Sequence, residues 1–292
     1  MEKVVKNKNG FFSVKELPTQ QELETYYSEK YYQNESIQYS NSYSKDELKY
    51  FENRAKAADK IYHDFIETKN KTLLEVGAGE GFFSHYFFSH HWNVTTLDYS
   101  DYGIKHHNPD LLPTLIKGDI YNSLENLIAQ NSKFDFINLS NVLEHVLNPE
   151  ELLEQLKMLL AKNSLLRISV PNDYSNFQEF LMEKNYTSNT WLCPPEHLHY
   201  FTFDSLSNLL LSVGYKVTLT MGEFPIELFL SNESSNYAQD RDKGKFAHKS
   251  RIEVDNFLFN QGVDKYINFY EVSAKIGLSR QVVIYATLNE IL

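Results

Sequence analysis

Two kinds of residue in this 292-residue chain stand where chemistry could use them: acids that close apolar runs, and histidines beside acids. The run Leu73-Leu74-Glu75-Val76 leads into Gly77-Ala78-Gly79-Glu80-Gly81. Glycines at such a point let the backbone turn tightly and meet a ligand with no Cβ in the way. A dinucleotide turn of the form G-x-G-x-x-G would need glycine at position 82, where this chain has Phe82. Glu75 and Glu80 would also oppose a pyrophosphate, so the acids favour a cationic, amine-bearing ligand without phosphate. The next apolar run, Val94–Leu97, closes on Asp98, about 20 residues beyond Gly77, where a carboxylate can bind both hydroxyls of a ribose. Each charge-assisted bond of that kind is worth about 1.5–3 kcal/mol. A third run leads to Gly118-Asp119-Ile120, where Asp119 can accept from an adenine amino group and Ile120 can cover the ring. A fourth ends in Asn138-Leu139-Ser140-Asn141.

The histidines come in two segments. Val142-Leu143-Glu144-His145-Val146 follows the fourth run directly, and Pro194-Pro195-Glu196-His197-Leu198-His199-Tyr200-Phe201-Thr202 follows the fifth after a loop. In an extended chain His197 and His199 point to one side, Glu196 and Leu198 to the other. An imidazole, with a pKa of about 6.5, suits removal of a hydroxyl proton at neutral pH. His197 is the first candidate for that base and His145 the second, with Glu196 or Glu144 orienting it. The bland alternative for each is packing in a helix or loop; three histidines near one expected cleft weigh against it. Glu144 and His145, with His197 or His199, could also hold a divalent ion through neutral imidazoles. Asn141 stands where a further acidic ligand would be wanted, and the expectation is a site without metal.

These residues can meet only if the runs are neighbouring strands. Short apolar runs lie at Thr72–Val76, Val94–Leu97, Thr114–Ile116, Phe134–Leu139, Leu165–Val170 and Val217–Met221, with helix-like segments between most of them. That alternation predicts a doubly wound α/β sheet, mainly parallel, with helices on both faces. A last run, Gln281–Thr287, is expected to join it antiparallel. Asn148 before Pro149, Glu150 and Glu151 reads as a helix start, and Asp204 as the cap of a helix Ser205–Val213 stopped by Gly214. Leu48, Phe51, Ala55, Ala58, Ile61, Tyr62 and Phe65 carry helical spacing over Lys45–Ile66. The chain is thereby divided into a helical, Tyr-rich extension (1–70), a ligand-binding core (71–221), a helical insertion (222–280) and a last core strand (281–292).

Taken in order, Glu75–Gly81, Asp98, Gly118-Asp119 and Phe134–His145 resemble the motif series of class I S-adenosylmethionine-dependent methyltransferases, over about residues 71–221. The resemblance implies a Rossmann-like sheet of seven strands with an antiparallel last strand. S-adenosylmethionine would be the cofactor and S-adenosylhomocysteine the product. Glu75, Gly77 and Gly79 would then lie at the methionine part, Asp98 and Tyr99 at the ribose, Asp119 and Ile120 at the adenine. Ser140 and Asn141 would line the same pocket. Pro171-Asn172, the Glu-His-x-x-Tyr-Phe-Thr pattern from Glu196, Phe224–Phe229 and Gly277–Arg280 are similar to methyltransferases of surface-polysaccharide and natural-product sugar genes. That finer likeness implies an oxygen of a sugar or polysaccharide precursor as acceptor. The zinc-binding cysteines of one carbon-methylating branch are absent, which speaks against that branch's route. A quinone- or lipid-directed enzyme and a non-catalytic cofactor-binding scaffold stand as alternatives.

Composition narrows the partners. Net charge is −11, from 39 acidic and 28 basic residues with no basic run, which disfavours nucleic acid and anionic membrane surfaces. A small-molecule acceptor is expected instead. Cys193 is the only cysteine, so no disulfide forms within the chain and a Cys-based zinc site is out. No stretch approaches the roughly 20 apolar residues of a membrane span, and the polar, Lys-rich start has no apolar region after it. A soluble, cytoplasmic protein is the expectation. Tyr26, Tyr27, Tyr31, Tyr32, Tyr39 and Tyr43 could form a lid or simply pack a helix. Residues 222–280 could bind acceptor or join two copies as a homodimer.

Overall fold

The computed structural model describes residues 3–23, 25, 26, 42–67 and 70–289. Two short strands come first, β1 (Val4–Lys6) and β2 (Phe12–Val14), followed by helix α1 (Lys45–Phe65). Strands and helices then alternate: β3 (Thr72–Val76), α2 (Phe82–Ser89), β4 (Asn93–Asp98), α3 (Tyr102–His107), β5 (Leu115–Lys117), α4 (Ile120–Ala129), β6 (Phe134–Ser140), α5 (Pro149–Leu159) and β7 (Leu160–Pro171). After α6 (Asn176–Glu183), β8 (His199–Tyr200), α7 (Phe203–Ser212) and β9 (Tyr215–Met221) come two helices, α8 (Gly244–Asn260) and α9 (Val263–Lys275), and then β10 (Gln281–Leu288).

The main sheet has the order β5-β4-β3-β6-β7-β10-β9. The pairs β5-β4, β4-β3, β3-β6 and β6-β7 are parallel, while β10 runs antiparallel to both its neighbours. The expected seven-stranded, doubly wound sheet with an antiparallel last strand is therefore the observed one. Parallel strands put their carboxyl ends on one edge, so the turns after β3, β4, β5, β6 and β7 all emerge together.

Alternation along each strand decides which face a side chain serves. Leu74, Val76, Ile137, Leu139, Leu166 and Ile168 pack with Leu124 of α4, Leu152 and Leu156 of α5 and Leu206 of α7. Leu73, Phe136, Leu165 and Val283 face the other way, against Ala58, Ile61 and Tyr62 of α1, Phe87 of α2 and Tyr270 of α9. On this second face a row of polar residues runs in register across five strands: Thr96, Glu75, Asn138, Arg167 and Tyr285. All five are buried. Buried polar groups need partners, and the row supplies them. Asn138 Nδ2 donates to Glu75 at 2.9 Å, Arg167 Nη1 donates to Asn138 Oδ1 at 2.9 Å, and Arg167 Nε reaches Tyr285 Oη at 3.3 Å.

The N-terminal region differs in part from the helical reading of residues 1–70. Phe12–Val14 is a strand because it pairs antiparallel with β1 on one side and with β8 on the other, burying Phe11 and Val14. Tertiary pairing has overridden local preference there. Helix α1 falls where its spacing predicts, opened by a capping box between Ser44 and Glu47. Tyr27, Tyr31, Tyr32 and Tyr39 lie outside the described residues. Helix α5 starts at Pro149 with Asn148 as its cap. Helix α7 starts two residues earlier than expected: Thr202, not Asp204, is the cap, in a reciprocal box with Ser205. Among the described residues, no helix is long and apolar enough to cross a membrane.

Candidate active site

The glycine turn after β3 is held from below and from the side. Glu75 is 4% exposed and lies on the α2 face, where it accepts from the backbone N–H of Ser84 at 3.1 Å, from the Ser84 hydroxyl and from Asn138. Desolvation pushes its carboxyl up to about 7, against the opposing pull of these donors and of Arg167. The sequence placed Glu75 with the ligand; in the fold both its oxygens are engaged beneath the turn. Gly77 and Ala78 donate to the carbonyl of Leu97, tying the turn to β4. A Cβ on Gly77, at φ +74°, would come within 2.4 Å of Val142 Cγ2, so only glycine fits.

Asp98 ends β4 and folds back over the turn. Its Oδ2 accepts from the N–H of Gly79 at 2.7 Å and its Oδ1 from Ser100 at 2.9 Å. Burial raises its carboxyl to about 6, partly countered by these backbone donors. Tyr99, next along, donates from its hydroxyl to Asp119 Oδ2, while Asp119 Oδ1 caps α4 by accepting from Asn122 N–H at 2.9 Å. Ile120 is the first residue of that helix. The glycine turn, Asp98, Tyr99, Asp119 and Ile120 thus form one contiguous rim over β3, β4 and β5. Space is open on it: a Cβ built on Gly79 or on Gly118 would meet nothing within 4 Å. Tyr43 closes one side, donating to Glu80 and meeting Phe51, Phe82 and His107 ring to ring.

The turn after β6 carries the second half. Ser140 ends the strand, and Asn141, at φ +54°, is exposed and donates to the Ser169 carbonyl at 2.8 Å. Next to it Glu144 is 1% exposed, and neither carboxylate oxygen has a hydrogen bond among the described residues. Desolvation drives that carboxyl up to about 8. The carbonyl of Glu196 can only accept, so His145 donates to it from Nδ1 at 2.6 Å. Its Nε2 is 3.7 Å from Glu144 Oε1. The rings of His145 and His197 meet edge to face at 4.8 Å. The two histidine segments predicted to share a cleft are therefore in contact, and it is the main chain of Glu196 that orients His145.

His199 has another part. Its Nδ1 meets the Ser13 hydroxyl at 2.8 Å and its Nε2 the Val146 carbonyl at 2.9 Å, and it is 4% exposed. Burial lowers its pKa to about 4, so it stays neutral and structural. It fastens the loop bearing His197 to β2 and to the turn after β6. Glu144, His145 and His197 offer three ligand atoms within 4.8 Å of one another, a spacing a divalent ion could bridge.

A further polar cluster is made of residues that nothing in their local sequence singles out. Asp173, just past β7, accepts from Arg280 Nη1 at 2.7 Å, and Arg280 lies 3.8 Å from Glu227. Gln178 donates to both acids. Only the tertiary fold brings β7, α6 and the start of β10 together, so spacing along the chain carries no signal of it.

A sheet of this order with a glycine turn, strand-tip acids and an open rim is the Rossmann-like fold of class I methyltransferases. A family model described as a methyltransferase domain matches residues 50–220, more than half of the chain. The chain belongs to that family and is, by family and fold, an S-adenosylmethionine-dependent methyltransferase. Among solved structures it is similar to a SAM-dependent methyltransferase from Archaeoglobus fulgidus, at 20% identity and a TM-score of 0.50, covering 80% of this chain and 93% of that one. It is also similar to the plantazolicin methyltransferase BamL, solved with a triazolic desmethylPZN analog and SAH, at 14% identity and a TM-score of 0.51, covering 94% and 92%. No curated protein matches it.

Proposed function

We propose that this enzyme methylates an oxygen of a small sugar or surface-polysaccharide precursor, with a histidine of the 145/197 pair as general base and without a metal. S-adenosylmethionine would supply an electrophilic methyl group on a positively charged sulfur. The residues suited to hold it are Gly77 and Gly79 with Glu75 beneath, Asp98 and Tyr99, Asp119 and Ile120, and Ser140 with Asn141. The open space at Gly79 and Gly118 supports that fit, because a group can lie against the backbone there. The buried acids favour a cationic ligand over a phosphate.

One observation carries the catalytic part. Beside that rim, the Glu196 carbonyl accepts from His145 Nδ1 and so fixes the ring's orientation, with Nε2 3.7 Å from the buried Glu144 carboxyl. As the acceptor oxygen takes the methyl group, its proton passes to an imidazole. Glu144, which burial keeps neutral up to about pH 8, can support the resulting imidazolium by ionising beside it. Sequence favours His197 for this step, and the fixed ring orientation favours His145, with His197 packed against it.

The test is calorimetry with S-adenosylhomocysteine, followed by turnover on candidate sugars. Binding in the micromolar range is expected, and complete absence of binding would sink the cofactor reading. His145→Ala should leave that affinity within about twofold yet lower kcat by roughly 100-fold or more. Unchanged turnover in both His145→Ala and His197→Ala would remove the histidine base. A second reading rests on the close grouping of Glu144, His145 and His197: a divalent ion could there polarise the acceptor. Turnover that survives exhaustive chelation is the expected result; turnover restored only by added metal would favour the second reading.

A further inference from the structure

A cavity of about 160 Å³ is walled by Trp191, Gln178, Glu227, Tyr237, Arg280 and Leu181 among others. We propose that this cavity holds a neutral, hydroxylated ring of the acceptor, a glycosyl unit without phosphate or carboxylate. The proposal rests on the methyltransferase reading and assigns the acceptor's place within it.

Three observations support it. The first is an unmet donor. Trp191 is 7% exposed, and its indole N–H has no hydrogen-bond partner among the described residues. A buried orphan donor is costly, and a small turn of the ring that brought it to a ligand hydroxyl would relieve that cost. The second is charge. The carboxylates of Asp173 and Glu227 face Arg280, and Gln178 already spans both acids. An incoming anion would find that guanidinium already matched by two acids. A hydroxyl can donate to Glu227 and, with a small turn of the ring, accept from the indole. The third is position. Ring contacts run from Trp191 to Tyr174 at 5.9 Å, Tyr174 to Tyr200 at 5.6 Å, Tyr200 to His197 at 6.4 Å and His197 to His145 at 4.8 Å. The cavity wall and the base thus belong to one aromatic file. The volume would take roughly ten water-sized groups, which matches a pyranose ring with its hydroxyls. Walls that are half polar suit a sugar better than a quinone or lipid.

The test is calorimetry on the full chain saturated with S-adenosylhomocysteine. The probes are methyl glycosides of glucose and rhamnose, glucuronate and glucose 6-phosphate as anions, and a short-chain hydroquinone. The neutral glycosides should bind in the millimolar range or tighter, and the anions at least about tenfold more weakly. Trp191→Phe and, as a gentler change, Glu227→Gln should each weaken glycoside binding about five- to tenfold while leaving S-adenosylhomocysteine affinity within twofold. The proposal is overturned if S-adenosylhomocysteine binds and no neutral glycoside does, if an anion or the hydroquinone binds better, or if both variants bind glycosides as the parent does. Glycosides binding in the absence of any S-adenosylhomocysteine affinity would instead count against the methyltransferase reading and leave the cavity assignment standing.

Discussion

The role of Asp98 in the fold and the one proposed for it in cofactor binding have pH dependences that run in opposite directions. Its carboxyl rises from 3.8 to about 6 on folding, because burial disfavours the charge more than three backbone donors restore it. The ligand-free fold therefore holds this proton more tightly than the unfolded chain does. That contribution to stability is complete below about pH 4 and lost as pH climbs through about 6. A ribose needs the ionised form, so cofactor affinity should rise over the same interval. Titrating S-adenosylhomocysteine between pH 5 and 8 should show affinity climbing to a plateau above about pH 6.5. Asp98→Asn should flatten that curve and cost about 10- to 100-fold in affinity, the loss of one charge-assisted hydrogen bond. A curve that keeps its slope in Asp98→Asn would assign the proton to another group.

At the scale of elements, the polar row across the sheet is a structural commitment. Arg167 lies among Glu75, Asn138, Glu223 and Tyr285, with Arg54 pairing to Glu223 from α1. Replacing Arg167 by Leu would strip the cation and leave buried acids unmatched, at an expected cost of about 3–5 kcal/mol. Urea denaturation would read it directly; a change below about 1 kcal/mol would mean the row is slack. The elements themselves were legible in the sequence, because apolar runs bounded by glycine or acid announce strands and i, i+4 spacing announces α1. So were the strand-tip residues Gly77, Asp98 and Asp119, since each sits at a fixed place relative to its run. Legibility ended where a residue's role comes from an unrelated segment. Nothing local marks Ser84 as the partner of Glu75, His199 as a fastener rather than a reagent, or Trp191 as a cavity wall. Thr202 was passed over as a cap because Asp204, also a capping residue, lay close by.

For the whole molecule, the N-terminal strands support the loop that carries His197, one of the two candidates for the proposed base. β2 pairs with β8, and the Ser13 hydroxyl meets the ring of His199, two residues from His197. Removing residues 1–15 should leave S-adenosylhomocysteine binding nearly intact, since the cofactor rim is built on β3, β4 and β5. Turnover should fall at least tenfold as the His197 loop loses its anchor. Equal loss of binding and turnover would mean that the deletion unfolds the core instead. In the intact protein, S-adenosylhomocysteine at 100 times its Kd should add about 2.7 kcal/mol, a rise in Tm of about 4 °C for a chain of this size.

The position of β10 has a consequence for how the chain is made. It is the filler between β7 and β9, so a nascent chain that has emerged only as far as α9 offers β7 as a bare edge and has nothing for β9 to pair with. Such an edge invites pairing with other chains. Truncation within Gln281–Leu288 should therefore give aggregates on expression rather than a smaller, weaker enzyme, and the growing polypeptide must be sheltered until its last stave slides into place.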